Sequence, residues 1–158
     1  MPIVNYLHTI VESEYWKKEQ WQKWADELII NHDKLEDWIY DVAFANDKEE
    51  LCLAIAHEKI TEVFDQKTNY SEPDVIIGYY YLMYQEKRMN LSELFLKLTD
   101  EDDISGEAEL RSFSETKSFL NRARMGEVDY EKMDRLLCPL ARIASKQLNV
   151  LESYLKRD

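Results

Sequence analysis

Apolar residues recur at helical spacing along most of the chain. The first clear stripe follows the i, i+3, i+4, i+7, i+8 order of one buried helix face: Trp21, Trp24, Ala25, Leu28 and Ile29. The next two stripes comprise Leu35, Trp38, Ile39, Val42 and Ala43, and then Cys52, Ile55, Ala56, Ile60 and Val63. Each stripe predicts an amphipathic helix that turns this face towards a core.

Residues that can cap helices stand between the stripes. Three pairs have the three-residue spacing of an N-cap and its N3 partner: Asp33 with Glu36, Asp47 with Glu50, and Asn90 with Glu93. Ser71 is a further candidate cap, because Pro73 follows it and proline is tolerated in a first helical turn. Alternation of cap and stripe predicts antiparallel helices joined by short loops.

The second half of the chain contains a central helix and a long terminal one. Residues 75–84 are nearly all apolar or aromatic, so this helix should be covered on most sides, and Gly78 within it suggests close approach of a neighbouring helix. An acidic loop is predicted over 99–109, and a further helix ends near Gly126. Asp129 should cap the last pattern, in which Pro139 should kink the helix or split it.

These patterns predict an all-α protein. We find no strand-like alternation bounded by turns, no low-complexity tract and no internal repeat. We expect about seven helices in an antiparallel bundle or irregular array, forming one domain over residues 1–158.

Charge narrows the class of partner. The chain has 32 acidic and 20 basic residues and a net charge of −12. A phosphate-binding surface needs clustered lysine and arginine, so we expect neither nucleic acid nor a membrane as a partner. A protein with this negative charge is expected to bind a basic protein partner, whose charge is complementary.

Composition also bears on location. No run approaches the roughly 18 apolar residues of a membrane span, and the first residues lack the order of a signal peptide. Cys52 and Cys138 lie far apart and outside any CxxC pair. We interpret them as free, buried thiols of a cytoplasmic protein, with a disulfide as the less favoured alternative.

No catalytic or metal-binding motif is complete. The segment His57-Glu58-Lys59-Ile60-Thr61 begins like a zinc-protease helix but has Thr61 where the second histidine should be. The loop around Gly106 resembles a calcium loop, yet Ser112 stands where a bidentate glutamate is needed. We therefore predict no enzyme, no metal site and no cofactor. An enzyme that uses buried carboxylates is the lowest-ranked hypothesis.

Aromatic residues beside carboxylates suit a basic partner, because charge steers the encounter and aromatic rings hold it. The chain has four tryptophans and ten tyrosines. The predicted partner-binding residues are Tyr79, Tyr80 and Trp16 together with the acidic loop residues Asp100, Glu101, Asp102, Asp103 and Glu107.

Two segments carry a resemblance to a known class. Trp38-Ile39-Tyr40-Asp41-Val42-Ala43 and Ile77-Gly78-Tyr79-Tyr80-Tyr81-Leu82 are similar to an uncharacterised helical family placed among bacterial immunity proteins. Such proteins neutralise a cognate toxin, often a basic nuclease. The resemblance implies a non-enzymatic protein-binding module with a basic partner such as a toxin. The alternative is a scaffold or regulatory subunit that self-associates through its C-terminal helix.

Overall fold

The computed structural model describes residues 3–65, 71–100 and 130–157. Within these ranges the chain forms seven α-helices and no strand, which confirms the all-α prediction. The helices are α1 Ile3–Glu12, α2 Lys18–Asn31, α3 Asp37–Phe44, α4 Lys48–Asp65, α5 Glu72–Gln85, α6 Leu91–Asp100 and α7 Tyr130–Tyr154. None of these helices combines the length and apolarity that crossing a bilayer requires.

The chain divides into two compact units. The first comprises Met1–Lys67 and Lys146–Asp158, and the second comprises Thr68–Ser145. Helix α7 therefore contributes its first part to the second unit and its end to the first. The prediction of one domain over the chain stays a prediction, because compact units within a chain are not by themselves independent domains.

The first unit is built from α1 to α4 and the end of α7. Helix α1 packs against α4, while α3 packs against both α2 and α4. Its buried side chains include Leu7, Ile10, Trp24, Leu28, Ile39, Val42, Leu51 and Ile55. Helix α1 was not among the helices predicted from the sequence, although its apolar residues at positions 3, 7, 10 and 11 have helical spacing.

The second unit has α5 at its centre. Ser71 caps this helix as predicted, since its Oγ accepts from the Asp74 backbone N–H at 3.3 Å while Asp74 accepts from the Ser71 N–H. Gly78 also has the predicted role: a Cβ built on it would overlap the backbone carbonyl of Leu140 in α7. Helix α6 packs against α5. Its start is closed by reciprocal backbone-to-side-chain hydrogen bonds of Asn90 and Glu93, as predicted.

Three local predictions need correction. Helix α3 has Glu36 rather than Asp33 as its N-cap, because the chain becomes helical only at Asp37. Ala56 and Ile60 are exposed rather than buried. Ile55 is buried as predicted, and Leu51, which was not part of the predicted stripe, is buried as well. These two residues are four positions apart and therefore share one side of α4.

Helix α7 is not split at Pro139. The helix is continuous over 25 residues with the proline inside it. Proline costs about 3 kcal/mol in a helix interior because it lacks a backbone N–H. Burial of Leu137, Leu140 and Ala141 on either side offsets this cost. The predicted cap at Asp129 and the predicted helix ending near Gly126 lie outside the described residues.

Candidate functional site

The acidic part of the predicted binding surface falls almost wholly outside the described residues. Asp100 is the last residue of α6. The other predicted members, Glu101, Asp102, Asp103 and Glu107, belong to the stretch from 101 to 129, outside the described ranges. This part of the prediction stays a prediction.

Tyr79 and Tyr80, which the sequence predicts to bind a partner, are buried in the second unit. Their exposures are 0% and 5%. The Lys97 ammonium of α6 lies 5.7 Å from the centre of the Tyr80 ring, so the cation–π partner of this ring comes from the same chain. The physical reason is that α5 is apolar on nearly every side and is covered in the second unit, which leaves its consecutive tyrosines little surface.

Trp16 is half-buried in an aromatic cluster of the first unit. Its ring centre lies 6.2 Å from that of Trp24, with a tilt of 49° between the planes. Trp24 in turn stacks on Trp38 at 6.4 Å and on Tyr154 at 6.1 Å. Trp16 is therefore chiefly a packing residue that keeps part of its surface exposed.

Polar groups fix this aromatic cluster in place. The indole N–H of Trp24 donates to the backbone carbonyl of Leu151 at 2.9 Å, and the indole N–H of Trp38 donates to the Glu36 carboxylate. The Arg157 guanidinium lies 4.5 Å from the Tyr154 ring centre. Because Trp38 belongs to α3, these contacts give α3 a rigid support on its buried side.

The outward side of α3 carries a different set of residues. Asp37, Tyr40, Asp41 and Phe44 follow the i, i+3, i+4, i+7 spacing, and all four are exposed. We call this set the α3 face. The Phe44 side chain is 77% exposed and that of Tyr40 is 38% exposed. The α3 face therefore combines two aromatic rings with two carboxylates on one rigid helix.

The surroundings of the α3 face are strongly acidic. The exposed carboxylates of the segment from 33 to 50 are those of Asp33, Glu36, Asp37, Asp41, Asp47, Glu49 and Glu50. The same segment has two cations, Lys34 and Lys48, and Lys48 pairs with Glu12 at 3.2 Å. Among the described residues, neither Asp37 nor Asp41 forms an ion pair. The local field thus favours an approaching cation.

The sequence contained the signal for the α3 face. The stripe that includes Trp38, Ile39 and Val42 predicts the buried side of this helix, and the structure buries all three. The remaining positions, including Tyr40 and Phe44, must then face outward at 100° per residue. The run of tyrosines in α5 is more conspicuous in the sequence, so the predicted binding residues included Tyr79 and Tyr80 rather than Tyr40 and Phe44.

A second group of chemically active side chains joins α1 to α4. His8, Glu12 and Cys52 place one ligand atom each within 4.8 Å of one another. The Cys52 thiol lies 3.7 Å from Glu12 Oε1, and His8 Nε2 lies 3.9 Å from the same oxygen. Cys52 and Cys138 are free thiols as predicted, but both are half-buried rather than buried.

The environment of Cys52 disfavours its thiolate. Burial, the nearby negative charge of Glu12 and the hydrogen bond to that carboxylate raise the pKa of the Cys52 thiol, while Lys59 and Lys48 oppose this change. The sequence could not reveal this group, because Glu12 and Cys52 are 40 positions apart and only the packing of α1 on α4 joins them.

Neither a family model, nor a curated protein, nor a solved structure matches this chain.

Proposed function

We propose that this protein is a non-enzymatic binding module that holds a basic protein partner on the α3 face. The observation that carries the proposal is the exposure of Phe44 and Tyr40 between two carboxylates that lack an ion pair among the described residues. A basic toxin that an immunity-type protein neutralises would fit such a face. It is also the partner that the resemblance described in the sequence analysis implies.

Charge supplies the long-range part of binding. A net charge of −12 and the exposed carboxylates around α3 attract a lysine- or arginine-rich surface and raise its association rate. Such attraction weakens as salt increases, because the Debye length falls from about 10 Å at 0.1 M to about 3 Å at 1 M. Association should therefore depend steeply on salt.

The aromatic rings supply the short-range part. Tyrosine is enriched among the few residues that dominate interface energies, and an aromatic face attracts arginine and lysine. Both rings stand on a helix whose other side is held by Trp24 and Trp38, so little backbone ordering is needed on binding. Phe44 should be the anchor because it has the larger exposed fraction.

The alternative, self-association through the C-terminal helix, has less apolar surface to offer. Of the eight residues in the predicted stripe of α7, five are buried (Met133, Leu137, Leu140, Ala144 and Leu151) and three are half-buried (Leu136, Leu148 and Leu155). The α3 face is the better supported site.

The test is affinity capture from a lysate of the source organism at low salt, with stepwise salt elution and mass spectrometry. We expect one stoichiometric basic protein that elutes as salt increases. The purified pair is then measured by calorimetry with Asp37→Asn/Asp41→Asn and with Phe44→Ser. Phe44→Ser should weaken binding by about 2 kcal/mol, roughly thirtyfold, as for an interface anchor.

Two controls separate this face from the overall charge. Glu131→Gln/Glu152→Gln removes the same number of charges from exposed positions of α7, and Leu96→Ser removes an exposed apolar side chain from α6. Both controls should bind nearly as well as the wild type. Equal losses in the two charge variants would show that only net charge matters, and a tight complex indifferent to salt would contradict the electrostatic part.

A further inference from the structure

The cluster of His8, Glu12 and Cys52 has the geometry of a metal site. His8 and Glu12 are four residues apart on α1, so both side chains extend from the same side of one helix. Cys52 reaches them from α4, which packs on α1. All three side chains are half-buried, which leaves a route to solvent for an entering ion.

The two distances from the Glu12 carboxylate come close to those of a tetrahedral shell. Zinc binds sulfur at about 2.3 Å and histidine nitrogen or carboxylate oxygen at about 2.0–2.2 Å, so its ligand atoms lie roughly 3.3–3.6 Å apart. Glu12 Oε1 lies 3.7 Å from Cys52 Sγ and 3.9 Å from His8 Nε2. All three ligand atoms lie within 4.8 Å of one another, so side-chain rotation must bring them up to about 1 Å closer to complete this shell.

The donor set selects the kind of ion. Sulfur, imidazole nitrogen and a single carboxylate oxygen suit zinc, whereas calcium and magnesium require shells made of oxygen. We propose that His8, Glu12 and Cys52 form a Zn²⁺ site in which three protein ligands leave the fourth position to water.

Two lysines of α4 have distinct parts in this site. The Lys48 ammonium donates to Glu12 Oε2 at 3.2 Å, which leaves Oε1 facing Cys52 and His8. Lys48 therefore orients the carboxylate from outside, as outer partners of metal ligands do. The Lys59 ammonium lies 2.9 Å and 3.1 Å from the two ring nitrogens of His8. It therefore occupies the position beside the imidazole that Zn²⁺ would take, and it must move when Zn²⁺ binds.

The experiment titrates the metal-free full-length protein with Co²⁺ and Zn²⁺. Stoichiometric Co²⁺ should produce the thiolate-to-cobalt charge-transfer absorption that Cys52→Ser abolishes and Cys138→Ser keeps. Retention of this band in Cys52→Ser, its loss in Cys138→Ser, or the absence of stoichiometric binding would overturn the proposal. Circular dichroism of each variant shows whether its helices are intact.

Two further variants test the other roles by Zn²⁺ calorimetry. His8→Gln should weaken binding by about tenfold or more, because the loss of an outer partner alone costs about that much. His57→Gln, an exposed histidine of α4, is the matched control and should leave affinity unchanged. Lys59→Met should tighten binding about tenfold, because an ammonium no longer repels the ion. Equal effects of the two histidine variants, or no gain in Lys59→Met, would contradict these assignments.

Discussion

Helices α3 and α5 are both rich in aromatic residues, yet the fold gives them opposite surroundings. Helix α5 is apolar on nearly all sides, and its tyrosines Tyr79 and Tyr80 are buried. Helix α3 is apolar on one side, so Trp38 is buried while Tyr40 and Phe44 are exposed. Aromatic content alone thus says little about binding, and the distribution of polar residues around the helix decides which rings reach a partner.

The difference has an energetic side. A buried ring stabilises the folded state because it removes apolar surface from water and packs against its neighbours. Its loss leaves a cavity, which destabilises the protein. An exposed ring such as Phe44 contributes little to folding and is available to bind. Substitutions in α5 should therefore change stability, and substitutions on the α3 face should change binding.

The largest expected effect is that of Tyr79→Ala. The side chain is fully buried, and truncation of a large aromatic residue in a core costs about 3–5 kcal/mol. Urea denaturation should show this loss as a lower midpoint with little change in slope. A loss below about 1 kcal/mol would mean that α5 is not the core element described here.

Gly78→Ala should have a smaller but still unfavourable effect. Alanine is about 1 kcal/mol better than glycine in an exposed helix, so helix propensity alone predicts stabilisation. The added Cβ would overlap the carbonyl of Leu140, and overpacking of this kind costs about 1–3 kcal/mol. We expect net destabilisation in thermal denaturation.

Gln85→Ala is the control for this substitution, because Gln85 is exposed at the end of the same helix. It should change stability by no more than about 0.5 kcal/mol. A Gly78→Ala variant more stable than the wild type would show that α5 and α7 do not approach closely at this point.

Phe44→Ser should have the smallest effect on folding. Because the ring is 77% exposed, the free energy of unfolding should stay within about 0.5 kcal/mol of the wild-type value. The same denaturation assay serves for the comparison with Tyr79→Ala. A loss similar to that of Tyr79→Ala would place Phe44 in the core and remove it from the α3 face.

Much of the local structure could be predicted from the sequence. The caps at Ser71 and Asn90 and the buried stripes of α2 and α3 follow from side chains near one another along the chain. The prediction for α4 was correct for Ile55 but wrong for Ala56 and Ile60, because the sequence of this helix allows two apolar faces. Leu53 and Ile60 form one that the fold leaves exposed, while Leu51 and Ile55 meet the neighbouring helices.

The candidate sites were predictable to different degrees. The chemistry of the proposed binding surface, aromatic rings beside carboxylates, was expected from composition. The sequence predicted this surface at Tyr79, Tyr80 and Trp16 with the acidic residues from Asp100 onward, whereas the exposed rings beside carboxylates are those of Tyr40 and Phe44. The choice required knowing which helix lies at the centre of its unit, and that depends on contacts between helices.

By itself the sequence determined the helical class, the starts of α4, α5 and α6 and the negative charge, because these depend on local spacing, capping groups and composition. Tertiary structure alone decided which aromatic rings stay exposed and which distant residues meet. His8 and Cys52 meet because α1 packs on α4, an arrangement set by burial over whole helix faces and encoded in no short segment.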